Sequence, residues 1–289
     1  MSLNVVLIGR STIEAIPLFH LYPGGSALRL LLRPSRSLEC TFDVEVCEWA
    51  KGPEVFPSIE TPISLINHLI RLWGCDILSL DGIEPLESVD VRILREHLGS
   101  VVLVARAHGF KRVSEFVDYY LVEDLSIPAG NPGLRGNVLG VIDKLISLGK
   151  PFEVHVYIDN PYMEELEGIV EVLKGTSIPL HVAINNPRGG GPVKSLYQEL
   201  RKILRYVYVH TRIYDEVDTL CPNCGTILLH RSGNILRAVN LANGKCPKCG
   251  TQLHLVGVVR GRTRESLARI TRGGVVWYNP LFYKSILKL

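Results

Sequence analysis

Two Cys-x-x-Cys pairs, Cys221-Pro222-Asn223-Cys224-Gly225 and Cys246-Pro247-Lys248-Cys249-Gly250, restrict this chain more than any other feature. They are near copies of one another, separated by 21 residues. In each turn two thiolates can point at one ion, and the glycine that follows permits the positive-φ conformation that aims backbone N–H groups at sulfur. Between the pairs, Thr226 to His230 and Ile235 to Val239 read as a hairpin around Ser232-Gly233-Asn234. The pattern predicts a zinc ribbon over residues 216–256 with Cys221, Cys224, Cys246 and Cys249 as ligands. Four sulfurs close the coordination sphere, so the zinc is expected to be structural and not catalytic. The three cysteines left over are Cys40, Cys47 and Cys75. Neither a disulfide framework nor a thioredoxin-like thiol pair has its sequence setting here.

Upstream, from about residue 74 to residue 210, short apolar runs alternate with amphipathic stretches. Apolar spacing and β-branched content predict strands over 76–80, 101–105, 119–122, 152–158, 179–184 and 206–209. Helices are expected over 89–98, around 114–116, and over 138–148, 163–173 and 192–204. Repeated strand–helix units imply an α/β fold with a parallel sheet and crossover helices. A barrel or partial (β/α) barrel of the TIM type fits, and a doubly wound open sheet would read the same. Both place functional loops at the C-terminal ends of the strands: Asp81 to Pro85, Arg106 to Gly109, Asp159 to Pro161 and Asn185 to Gly191. The last is glycine-rich but lacks the spacing of a phosphate-binding loop and reads as a flexible connection. His155 and His181 lie inside strands and read as packed or hydrogen-bonded core residues. His20 reads as a brace for the Tyr-Pro-Gly turn, and Trp49 as packing.

The chain has 289 residues, room for one large domain and a small module. No run approaches the ~18 uninterrupted apolar residues of a membrane helix. The N-terminus lacks the basic region of a signal peptide, so a cytoplasmic protein with no membrane association is expected. Net charge is +3, unevenly spread: residues 201–289 hold 15 Lys/Arg against 4 Asp/Glu, a balance of +11 that leaves −8 for residues 1–200. That asymmetry fits an anionic partner, nucleic acid included, at the C-terminal part. It equally fits two regions that neutralise each other across their contact. The ribbon shows few aromatics suited to base stacking. Trp277, Tyr278, Phe282 and Tyr283 predict that the tail, residues 257–289, packs on the large domain or against a partner or second subunit.

Two segments carry a family resemblance. Pro17-Leu18-Phe19-His20-Leu21-Tyr22-Pro23-Gly24 with Ser26-Ala27-Leu28 resembles the stretch ahead of the cluster motif in AmmeMemoRadiSam-system radical SAM enzymes, relatives of pyruvate formate-lyase activating enzyme. Tyr206-Val207-Tyr208, leading into the two cysteine knuckles, is similar to the tyrosine-rich strand and C-terminal knuckles of that family. The resemblance spans roughly residues 14–256 and implies a partial (β/α) barrel over residues 1–215. It also implies S-adenosylmethionine beside Gly82 and Glu84 of the Asp81-Gly82-Ile83-Glu84-Pro85 turn. Enzymes of this kind hold three irons of a [4Fe–4S] cluster with Cys-x3-Cys-x2-Cys, one thiolate per iron. Here Cys40 and Cys47 fall at the first and third positions, but Val44 stands in the middle and Val46 where the family usually has an aromatic residue. Cys75 precedes a strand and belongs at the opposite end of the sheet; only Asp43 or Glu45 offers a substitute oxygen. The expectation is therefore a non-catalytic or accessory relative with an incomplete cluster site. The alternatives are an active radical SAM enzyme with atypical cluster ligation and a zinc-ribbon nucleic-acid-binding protein.

Overall fold

The structure is a computed structural model and describes residues 2–33, 57–109, 113–187, 189–211, 215–272 and 274–287. At its centre is a ten-stranded sheet. Seven of its strands run parallel and lie side by side in chain order: β2 (Ser26–Leu32), β4 (Ile77–Asp81), β5 (Val102–Ala107), β6 (Tyr119–Asp124), β7 (Phe152–Ile158), β8 (Leu180–Ile184) and β9 (Val207–His210). Strand β1 (Ser2–Thr12) is antiparallel to β2, and it also pairs with β3 (Ile59–Pro62) and β13 (Val275–Tyr278). The order runs from β13 at one edge to β9 at the other, and these two strands do not pair. The fold is mixed α/β, as expected, with an open, mostly parallel sheet; of the barrel and partial barrel that the sequence allowed, it is not the closed form. Its parallel strands never reverse order, so it lacks the switch point of a doubly wound sheet.

Strand β7 shows how the sequence produces this architecture. In Phe152-Glu153-Val154-His155-Val156-Tyr157-Ile158 every residue is buried, yet apolar and polar side chains alternate. Alternate side chains point to opposite faces, so one face is apolar and the other polar although both are covered. Phe152, Val154, Val156 and Ile158 join the main core with the apolar sides of α1 (Ile63–Trp73), α2 (Val91–Leu98), α3 (Gly133–Ser147), α4 (Glu167–Leu173) and α5 (Gly190–Ile203). Right-handed crossovers between neighbouring parallel strands put these helices on one face. Glu153, His155 and Tyr157 point to the other, inner face.

The helix expected around Ser114 does not form; among the described residues, 113–118 make a turn, with Val117 N–H donating to Ser114 O. The cause is local. The Tyr120 hydroxyl donates to Ser114 O and accepts from Ser114 N–H, occupying both backbone groups that a helix would use.

The inner face is covered by two pieces of chain. Residues 13–21 place Ile13, Ile16, Leu18 and Leu21 over Ala27, Ile77, Val104 and Leu121. A second sheet, β10 (Thr219–Leu220), β11 (Ile227–Ser232) and β12 (Ile235–Val239), packs Leu228, Leu229 and Leu236 with Phe19, Tyr206 and Tyr208. Its hairpin turns at Gly233, in the expected region. After α6 (Glu265–Thr271), the tail returns to the main sheet: β13 pairs with β1, and α7 (Pro280–Leu287) places Tyr283 against Trp73. Among the described residues, no helix is long and apolar enough to cross a membrane.

Candidate metal centre and inner-face polar cluster

The four knuckle cysteines converge. Their Sγ atoms all lie within 4.8 Å of one another, with Cys221–Cys249 at 3.5 Å and Cys224–Cys246 at 3.6 Å. Four thiolates around one tetrahedral ion at about 2.3 Å would sit roughly 3.8 Å apart, so the arrangement suits a single metal ion. The two knuckles repeat each other in detail. Gly225 N–H donates to Cys221 O and Gly250 N–H to Cys246 O, with both glycines at positive φ. Thr226 Oγ1 lies 3.2 Å from Cys224 Sγ, and Thr251 Oγ1 lies 3.2 Å from Cys249 Sγ. The Thr251 hydroxyl and backbone N–H push the Cys249 thiol down to about 5, favouring the thiolate a metal needs.

Arg231, from β11, ties this module to the main sheet. It is 3% exposed and donates to Val217 O, Thr219 Oγ1 and Phe19 O, while its guanidinium lies 4.1 Å from the centroid of the Phe19 ring. The segment it grips supplies the backbone N–H groups of Phe19 and His20, both 2.9 Å from the Glu153 carboxylate.

Glu153 begins a buried relay. Its oxygens accept from those two N–H groups and from the Tyr119 hydroxyl, and His181 Nε2 lies 2.8 Å away. His181 Nδ1 in turn lies 3.0 Å from His210 Nε2. Burial pushes Glu153 upward, opposed by His20 and by the N–H donors, whereas burial and neighbouring positive groups hold His181 and His210 well below the usual imidazole range. With Glu153 as a carboxylate, His181 donates through Nε2 and accepts at Nδ1 from His210 Nε2–H. His210 Nδ1 is then left with its lone pair. A proton on Glu153 reverses every donor in this chain, so the relay couples Glu153 to a nitrogen at the end of β9.

Beside it lies an ion network built by β2, β4, β5 and β6. Arg29 Nε donates to Asp81 Oδ2, Arg106 Nε to Asp81 Oδ1 at 3.0 Å, and Arg106 Nη1 to Glu123 Oε2 at 2.7 Å. His108 Nε2 lies 3.1 Å from the same Glu123 oxygen. Burial alone would raise both acids. The guanidiniums of Arg29 and Arg106 hold Asp81 down, and Arg106 with His108 holds Glu123 well below the carboxylate range. Breaking such a buried pair from one side leaves an uncompensated charge in the core.

The structure brings some expected site residues together and leaves others apart. Gly82 has φ 115°, and a Cβ there would sit 2.9 Å from Leu32 O, so only glycine lets the turn after β4 pass β2. Glu84 is buried with a left-handed backbone, φ 49°, and its Oε1 accepts from His108 N–H at 2.7 Å. Cys75 lies at the other end of β4, where burial pushes its thiol up to about 12. Cys40 and Cys47, together with Asp43, Val44, Glu45, Val46 and Trp49, lie outside the described residues. His20 is a buried link rather than a turn brace: its Nδ1 meets His254 O at 2.6 Å and its Nε2 meets the Tyr208 hydroxyl at 2.7 Å. Sequence reasoning placed His155 and His181 in the core but missed that they share a face with Glu123, Glu153 and His210. The available signal was the polar residue at every second position of β7.

No family model matches the chain. It is similar to the uncharacterized protein MJ0808 of Methanocaldococcus jannaschii, with 23% identity over 285 residues, covering 84% of this chain and 82% of that protein.

Proposed function

We propose that this chain is an accessory, non-catalytic relative of radical SAM enzymes. In this reading it keeps their partial (β/α) barrel plan and a structural zinc ribbon without a complete [4Fe–4S] site. The unreversed order of β2, β4, β5, β6, β7, β8 and β9 supports the barrel plan, since neighbouring parallel strands wind in one direction. The buried Glu84 on the loop after β4 supports the placement of the Asp81 to Pro85 turn. One observation carries the negative half of the reading: the position of Cys75. A three-thiolate cluster needs one cysteine per iron. Four of the seven cysteines meet in the ribbon, and Cys75 precedes β4 while Gly82 and Glu84 follow it. A five-residue strand is about 17 Å long, so Cys75 stands well away from the turn that the resemblance sets beside S-adenosylmethionine. Only Cys40 and Cys47 remain, so the residue set does not fit a three-thiolate cluster.

The test is to purify the protein anaerobically, offer iron and sulfide, and count metals per chain. About one zinc with no retained iron is expected. About four irons with a spectrum that responds to S-adenosylmethionine would overturn the reading in favour of an active enzyme with atypical ligation. Replacing Cys40 or Cys47 with Ala should then abolish the iron. The +11 balance of residues 201–289 supports nucleic-acid binding as a second reading. Several of those charges are engaged within the protein, among them Arg231 in the core, Arg260 in an ion pair with Asp76 and Arg269 in one with Glu265. Binding that falls steeply with salt would favour this reading, and a flat salt dependence would remove it.

A further inference from the structure

His155 is an anomaly on the inner face. Its ring is buried, 7% exposed, yet neither Nδ1 nor Nε2 has a hydrogen-bond partner. A buried imidazole normally satisfies at least one nitrogen, because an unmade hydrogen bond there is destabilising. Glu123 Oε1 stands 3.6 Å from Nδ1, too long for a hydrogen bond. That oxygen is the less engaged one of its carboxylate: Arg106 and His108 both contact Oε2, and Oε1 has the Tyr157 hydroxyl at 3.3 Å. On the other side stands His210, its ring centroid 5.9 Å from that of His155.

We propose that Glu123, His155 and His210 form a second metal site, separate from the cysteine ribbon, for a divalent ion of the zinc, cobalt and nickel class. Two imidazoles and a carboxylate are the donors such ions take, whereas calcium and magnesium prefer oxygen throughout. The spacing fits. An ion bound at about 2.0–2.2 Å sets neighbouring donor atoms roughly 3.3–3.6 Å apart and two imidazole centroids roughly 5–6 Å apart. The Glu123–His155 gap and the His155–His210 separation fall within these ranges. The supporting shell is also present. A metal-bound histidine usually donates its other N–H to a neighbour that fixes its tautomer, and a carboxylate often stands behind. His210 has this arrangement through His181 and Glu153, which frees Nδ1 for an ion. His181 and Glu153 are thus positioning residues. Among the described residues, only the ribbon cysteines already converge within 4.8 Å as a group of three or more. The inner-face set is more open than that and would draw together around the ion, with His210 Nε2 kept on His181. All three proposed ligands are among the described residues and none is a cysteine, so the inference stands apart from the radical SAM reading.

The experiment uses the full chain with its ribbon loaded with zinc. Cobalt(II) is titrated in, followed by calorimetry, visible absorption and paramagnetic shifts of histidine ring signals. About one further equivalent is expected, with weak d–d bands and no thiolate-to-cobalt charge-transfer band. His155→Gln and His210→Gln should each remove it while amide protection across β4 to β8 stays at the wild-type level, which reports an intact sheet. His181→Gln should weaken it by about 10–100-fold, the usual effect of an outer-shell change. Cys40→Ala and Cys47→Ala should leave it unchanged. The proposal fails if the wild-type protein takes up no second equivalent, a result that needs no variant to fold. It fails equally if the cobalt shows a thiolate band, or if binding survives both histidine substitutions.

Discussion

The ribbon and the inner face of the sheet both gather metal-type ligands, but by opposite routes. The ribbon draws its four from two short turns, each a local copy of the other, joined by a hairpin. The inner face draws Glu153, His155, His181 and His210 from three parallel strands, one or two side chains from each. Nothing in the local sequence of β8 announces that His181 will meet Glu153. The register of β7 with β8, His155 beside His181, and of β8 with β9, Ala183 beside His210, does so. A site made by turns is carried by its own segment, while a site made by register exists only when the whole sheet has formed.

The comparison breaks first if the ribbon is not held by its metal. Cys221→Ser or Cys246→Ser, each removing a buried ligand, should reduce the bound metal from about one per chain to almost none. Apparent binding free energies of structural zinc sites reach about 10 kcal/mol or more, so this is the largest effect expected. Residues 219–253 should lose amide protection while the main sheet keeps most of its own. Equal loss of protection in β4 and β5 would show that the ribbon is not a separate unit.

This difference also explains how much the sequence disclosed. The ribbon was readable because ligand spacing, glycine and hairpin lie within one segment, and nothing distant can shift them. The strands from β4 to β9 were readable from their apolar runs, since a strand covered on both faces needs little long-range information to be recognised. The turn at Ser114 was not, because the Tyr120 hydroxyl that captures Ser114 is outside the amphipathic pattern that predicted a helix. The ion network of Arg29, Asp81, Arg106 and Glu123 was hidden for a related reason. Each charge sits singly in its own strand, and only the sheet order places opposite signs side by side. Closure of the sheet was equally invisible, since it depends on whether β9 finds β13, two strands far apart in the chain.

Arg231 sharpens the comparison, because it joins the two regions. Arg231→Met keeps much of the apolar stem but removes the donors to Val217 O, Thr219 Oγ1 and Phe19 O. It also takes the charge partner from buried Glu14, 3.9 Å from Arg231 Nε; breaking such a buried pair costs about 3–5 kcal/mol, and the loss should appear in urea unfolding with the ribbon metal still bound. If the link works through Phe19, the ring signals of His181 should shift too, since Phe19 N–H donates to Glu153 and the Phe19 ring packs edge-on against His181. A destabilised variant with unchanged His181 signals would place the whole effect within the ribbon.

The smallest effect expected is one of pH, and it tests whether the contact between the two regions stays neutral. His20 donates through Nδ1 to His254 O and accepts at Nε2 from the Tyr208 hydroxyl, which sits 2.8 Å from Thr219 Oγ1. Burial pushes this imidazole down to about 4, despite the opposing pull of Glu153. In the unfolded chain the same ring titrates near 6.5. Between these values the unfolded state binds a proton that the folded state refuses. His20 therefore contributes stability that is full above pH 6.5 and is lost as pH falls toward 4, by about 3 kcal/mol in all. Burial raises Glu14 and Glu153, whose contributions have the opposite sign and are lost as pH rises. Glu14 is common to wild type and variant and largely drops out of a difference, whereas Glu153, which His20 helps to hold down, is followed by its own carboxyl signal in both proteins. His20→Gln keeps a donor and an acceptor but cannot titrate, so its unfolding free energy should be lower than wild type at pH 7.5 and approach it by pH 4.5. A gap that stays constant across that range would mean that His20 is held by shape alone and that its protonation plays no part in joining ribbon to sheet.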